Sequence, residues 1–129
     1  MSLKNCPVGA LIAVADLNRA RHFYEDQLGL VPGEVDAESV RYFCAQGTNL
    51  FVYLQPANAG MSAATIAGWT VANLDETMDE LAARGTRFER YDQPGLTTDE
   101  RGILDAGDFR AAWIKDPDGN TMALTQYTG

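Results

Sequence analysis

Six residues near the C-terminal end, Lys115-Asp116-Pro117-Asp118-Gly119-Asn120, pack three charges, a proline and a glycine together. Such a run could hold a cation, cradle a phosphate or turn the chain. It does not complete the D-x-[DN]-x-[DN]-G pattern of a calcium loop. It also lacks the glycine-rich stretch and trailing Lys-Ser/Thr of a phosphate loop. Proline fixes φ at the second turn position, aspartates bond nearby amides, and glycine takes the left-handed place, so the run is read as a turn. It then serves as a ruler that registers the two strands on either side.

Other chemistry-bearing residues are sparse. The one histidine, His22, falls mid-helix and is read as exposed; a lone imidazole builds no metal site. Asp105 and Asp108 flank Gly107 in an acidic loop and are read as solvated rather than as an acid–base pair. No G-x-S-x-G elbow or phosphate loop occurs. Cys6 and Cys44 make neither a disulfide framework nor a C-x-x-C motif, so reduced thiols and a cytoplasmic location are expected.

The chain has 129 residues, enough for one domain with a sizeable core. Its net charge of −8 argues against nucleic acid and anionic membrane as partners and is compatible with a cationic ligand. No apolar run approaches the roughly 18 residues of a membrane span, and the N-terminal residues lack the apolar core of a secretion signal.

The elements that must position any site follow from periodicity. Residues 8–15 (VGALIAVA) read as a buried strand, and Asp16 as the N-cap of a helix. Leu17, Ala20, Phe23, Tyr24 and Leu28 recur at helical spacing until Gly29. Three short strands are predicted over residues 33–35, 39–45 and 50–55, followed by a linker over 56–64. The pattern then restarts: a strand over 64–71, the capping sequence NLDE at 73–76, a helix stopped by Gly85, a strand over 86–91, a long loop over 92–108, and strands over 109–115 and 121–127.

The order is therefore βαβββ twice. Val14-Ala15-Asp16-Leu17 matches Val71-Ala72-Asn73-Leu74 at an offset of 57 residues. The expected fold is two-layer α+β: two βαβββ modules, about 7–56 and 64–127 of a single domain, each burying its helix against one face of its own sheet.

The repeat, the segment VADLNRARHFYEDQLGL and the KDPDGN turn together resemble the vicinal oxygen chelate superfamily, which includes glyoxalase I, extradiol dioxygenases and bleomycin-resistance proteins. The resemblance covers roughly residues 8–126. It implies that the two modules form a curved mixed sheet with an open cleft, that the chain is a homodimer, and that in active members a metal is held from the first and last strands of each module, acting as a Lewis acid. In this chain those four positions are Gly9, Tyr53, Ile66 and Ala123. Glycine, isoleucine and alanine offer no ligating atom, and a phenol alone is a poor one. A metal cofactor is not expected.

Strand alternation gives the cleft its expected lining. Leu11 and Ile66 face it from the first strand of each module, and Trp69 faces the helix layer. Trp113 falls opposite Ala123 on the cleft side, to form an aromatic pocket with Phe51 and Tyr53, while Arg41 could reach in to hold an anionic group. The long 92–108 loop could act as a lid, hinged at its glycines. The expectation is a metal-free small-molecule-binding protein that sequesters an aromatic or cationic ligand. The alternatives are a lyase, isomerase or dioxygenase with an unconventional site, and a non-catalytic interaction domain.

Overall fold

The computed structural model of the chain describes residues 2–128. Two four-stranded mixed sheets carry the fold. The first contains β1 (Ala10–Val14), β2 (Pro32–Val35), β3 (Ser39–Phe43) and β4 (Asn49–Leu54) in the order β1-β4-β3-β2. The second contains β5 (Thr65–Thr70), β8 (Leu104–Asp105), β9 (Phe109–Lys115) and β10 (Thr121–Tyr127) in the order β5-β10-β9-β8. In each sheet the first strand pairs in parallel with the last, and antiparallel neighbours follow. Two βαβββ modules are thereby built as expected.

Each sheet buries one face. Ile12, Val14, Val40, Tyr42, Leu50 and Val52 alternate along β1, β3 and β4 into one core with Phe23 and Tyr24. Ala112 and Leu124 meet Leu74, Met78 and Leu81 of α2 (Leu74–Ala83) in a second core. Each such side chain contributes roughly 1.5–3 kcal/mol by leaving water. The two cores touch through Trp69 and Phe88, and Ile114 and Met122 of the second sheet pack into the first core.

Both helices begin alike. Asp16 accepts from the amide of Arg19 at 3.0 Å, and Asn73 accepts from that of Glu76 at 3.0 Å. They continue differently. α1 (Leu17–Arg21) widens into a π-helical turn over His22–Gln27, where Phe23 and Tyr24 are both buried and meet edge to face. Gly29 closes it in the left-handed conformation, at φ +75°.

The hexapeptide is more than a ruler. Asp116, only 4% exposed, accepts hydrogen bonds from the Tyr24 hydroxyl (2.8 Å), the Asn120 side chain (2.8 Å) and the amides of Asp118 and Asn120. Asn120 also donates to the Ala13 carbonyl and accepts from the Gly60 amide. Asp118 accepts from Arg19 and from the Ala15 amide. A turn of the second module is thus bonded to the first strand and helix of the first. Burial, together with the adjacent Asp116 carboxylate, holds the Tyr24 phenol protonated far above its ordinary range.

Two expectations need correction. Residues 86–91 form no ladder: one bond, from the Glu89 amide to the Trp113 carbonyl, ties them to β9. Tyr91 is drawn off instead to Thr98, which bonds both its amide and its carbonyl, and β8 takes the vacated edge of β9. The long loop is not a hinged lid either. It folds into a small hairpin, β6 (Asp92–Gln93) with β7 (Leu96–Thr97), and then inserts Ile103, 5% exposed, into the second core. Arg101 pairs with Asp75 and Asp79 of α2, pinning the loop to the helix.

Candidate functional site

The unburied faces of the two sheets carry the residues that alternation assigns to a cleft. On the first sheet, Leu11 neighbours Phe51, Arg41 neighbours Phe51 from the other side, and Tyr53 lies next to Ala13. The Phe51 and Tyr53 rings stack with centroids 5.9 Å apart. The Arg41 guanidinium lies over the Phe51 ring at 4.7 Å, donates from Nε to Glu34 (3.0 Å) and from Nη1 to Asn49 (2.8 Å). Leu11 is 66% exposed, though it stands on a strand whose other face is fully buried.

On the second sheet, Trp113 and Ala123 are cross-strand neighbours, and Ala123 lies beside Gly68. The Trp113 ring is held edge to face by Tyr91 at 5.6 Å. Burial raises the Tyr91 phenol above its ordinary range, and the Glu89 charge adds to this. The rings pair as Phe51 with Tyr53, and Trp113 with Tyr91.

A cavity of about 740 Å³ opens where the first strands of the two modules meet. Val8, Gly9 and Asn49 line it from one side; Ile66, Gly68 and Trp69 line it from the other. Two of the four motif positions, Gly9 and Ile66, come together here. Tyr53 and Ala123 do not line it. The reason for Tyr53 is register: Ala10 pairs with Leu50, so the strand neighbour of position 9 is Asn49, four residues short of Tyr53. Trp69 packs against both cores as expected and also edges the cavity.

The four positions do not fit a divalent metal. Gly9, Ile66 and Ala123 bring no donor, and Tyr53 stands elsewhere on its strand. A side chain at position 9 would also meet Asn49, whose Oδ1 lies 2.7 Å from the Cβ position and accepts from Arg41. Among the described residues no three His, Cys, Asp or Glu side chains gather as a donor set. His22 is exposed and paired with Asp26, as its helical phase predicts. Asp105 and Asp108 are exposed.

Sequence reasoning passed over two residues of the site. Asn49 was findable, because it shares the parity of Phe51 and Tyr53 along β4. Tyr91 carried no such signal, since its position follows from a bond to Thr98 in an irregular segment.

Comparison with known proteins agrees with this architecture. The family model of the glyoxalase/bleomycin resistance protein/dioxygenase superfamily matches residues 8–124. A glyoxalase/bleomycin resistance protein from Catenulispora acidiphila superposes with a TM-score of 0.70 at 22% identity, covering 95% of this chain and 98% of that one. TnmS3, an antibiotic binding protein from a Streptomyces species, gives 0.70 at 19% identity, covering 95% of each chain. The fosfomycin resistance protein FosX from Listeria monocytogenes gives 0.68 at 14% identity, covering 94% and 92%. A comparison with curated protein sequences gave no match. With its paired βαβββ modules and a family match running from the first strand to the last, the chain belongs to the glyoxalase/bleomycin resistance protein/dioxygenase superfamily.

Proposed function

We propose that the chain is a metal-free binding protein that sequesters a flat aromatic molecule. The observation that carries this reading is the stacked Phe51–Tyr53 pair on a half-exposed sheet face, with Arg41 seated on one ring. Such surfaces gain area and stacking energy from a planar ligand, about 0.5–1.5 kcal/mol per ring pair beyond burial. The neighbouring cavity has the volume of a drug-sized site. That an antibiotic binding protein shares the fold supports the same reading. The cationic ligand allowed by the net charge is the weaker choice, because the Arg41 guanidinium already brings a positive charge to this face.

The exposed apolar residues Leu11 and Phe43 on the first sheet support a homodimer in which a second copy closes over the ligand. Two free cysteines, Cys6 and Cys44, support a cytoplasmic location. No helix among the described residues is long and apolar enough to cross a membrane.

The test is a fluorescence titration with planar aromatic compounds. Saturable quenching that disappears in Phe51→Ala is expected, together with ligand recovered chemically unchanged. Consumption of the ligand would return the chain to the enzymes of the family, and no binding across a broad panel would end the reading.

A further inference from the structure

Among the described residues Arg41 is the one cation on the aromatic face of the first sheet, and its bonds are arranged for exchange. One edge of its guanidinium is committed: Nη1 donates to Asn49 Oδ1 at 2.8 Å, and the plane rests on Phe51. The other edge is loosely held. Nε donates to a single oxygen of Glu34 at 3.0 Å, and Nη2 has no hydrogen-bond partner among the described residues. The Glu34 side chain is 72% exposed and that of Arg41 34%. An ion pair with one partner so open to water is weak. Asn49 and Phe51 therefore fix the guanidinium while its Nε/Nη2 edge, the geometry that accepts a carboxylate through two parallel bonds, is only half used.

The position matters too. Asn49 joins Arg41 to the wall of the cavity and fills the space beside Gly9. We propose that Arg41 reads the anionic end of the ligand: an aromatic carboxylate binds with its ring against Tyr53, beside the Arg41-covered Phe51, and its oxygens on the Nε/Nη2 edge, displacing Glu34. The proposal rests on the binding reading above and narrows its ligand class to planar aromatic acids. The chain's net negative charge opposes this only at long range, since screening sets in over about 8 Å at physiological salt.

Three probes of one shape separate the alternatives: 2-naphthoate, 2-naphthalenemethanol and 2-naphthylmethylammonium, titrated calorimetrically into the full chain. The carboxylate is expected to bind at least about tenfold more tightly than the alcohol, the gain of a charge-assisted double bond. The ammonium should be weakest. Arg41→Met should abolish the carboxylate preference, with circular dichroism reporting that the variant is folded. Arg41→Lys should keep part of the preference. Glu34→Gln should tighten the carboxylate about two- to fivefold by removing its competitor, an effect that a merely structural arginine would not show. Equal or tighter binding of the alcohol or the ammonium overturns the proposal while leaving the cleft reading intact. So does a carboxylate preference that survives in Arg41→Met, or one that weakens in Glu34→Gln. Failure of all three probes to bind overturns both.

Discussion

The two modules share a frame and differ in what they do with it. Their helices start with the same cap geometry, at Asp16 and Asn73, and end at left-handed glycines, Gly29 and Gly85. Their sheets repeat the same strand order. The first module closes its helix onto β2 within a few residues and presents Leu11, Arg41, Phe51 and Tyr53 on its open face. The second spends residues 84–103 on a pinned loop, and its open face holds Gly68, Ala123 and Trp113. Helix-side positions are filled by interchangeable apolar residues because packing constrains them. Open-face positions differ in kind, and the proposed binding uses those of the first module.

The sharpest break of this contrast sets the two faces of β1 against each other. Ile12→Ala should cost about 3–4 kcal/mol, since the side chain is fully buried and leaves a cavity. Leu11→Ala, one residue away, should change stability by no more than about 0.5 kcal/mol. Urea unfolding of both variants measures the difference. Comparable losses would mean that the open face is covered in the folded chain.

The hexapeptide turn is the next largest. Asp116→Ala strands the Tyr24 hydroxyl, the Asn120 amide and two backbone N–H groups, and should cost about 3 kcal/mol. That corresponds to a fall in Tm of roughly 10 °C by calorimetry. The matching turn of the first module, residues 45–48, makes no contact of this kind and carries Gln46 in the left-handed region, at φ +58°. Gln46→Gly should be neutral or stabilise by about 0.5 kcal/mol. This is the smallest effect in the set, and it has the opposite sign.

Between these lies the clamp that distinguishes the second module. Asp75 takes hydrogen bonds from Arg110 and Arg101, and the Arg110 bond is the main cause that holds its carboxyl below the usual range. A depressed folded value means that the stabilisation is complete above the unfolded value, near pH 4, and is lost as pH falls through the folded one. Asp75 is half exposed, so Asp75→Asn should cost only about 0.5–1 kcal/mol at pH 7. The wild-type and variant denaturation curves should converge once the pH has fallen below the folded value. A gap that persists there would place the effect in packing rather than charge.

Much of the frame was legible because its signals are local. Caps, glycine stops and alternating strands are written within a few residues, and the DPDG turn placed Trp113 opposite Ala123, where the structure has it. The failures came from contacts that no local pattern encodes. Tyr91 leaves its expected strand for Thr98, and Ile103 enters a core that its loop composition did not reveal. The bond between Tyr24 and Asp116 joins residues 92 positions apart, which no periodicity predicts. At the site, parity found Leu11, Phe51 and Tyr53 on one face with Arg41, whereas the register that sets Asn49 beside Gly9 lay beyond it.

The central claim is that the cleft takes an aromatic ligand without the help of a metal. Equilibrium dialysis of 2-naphthoate against the full chain, before and after exhaustive chelation, tests it most directly. The expected result is saturable binding with the same affinity in both preparations. Binding that disappears on chelation and returns with added divalent metal would contradict the claim.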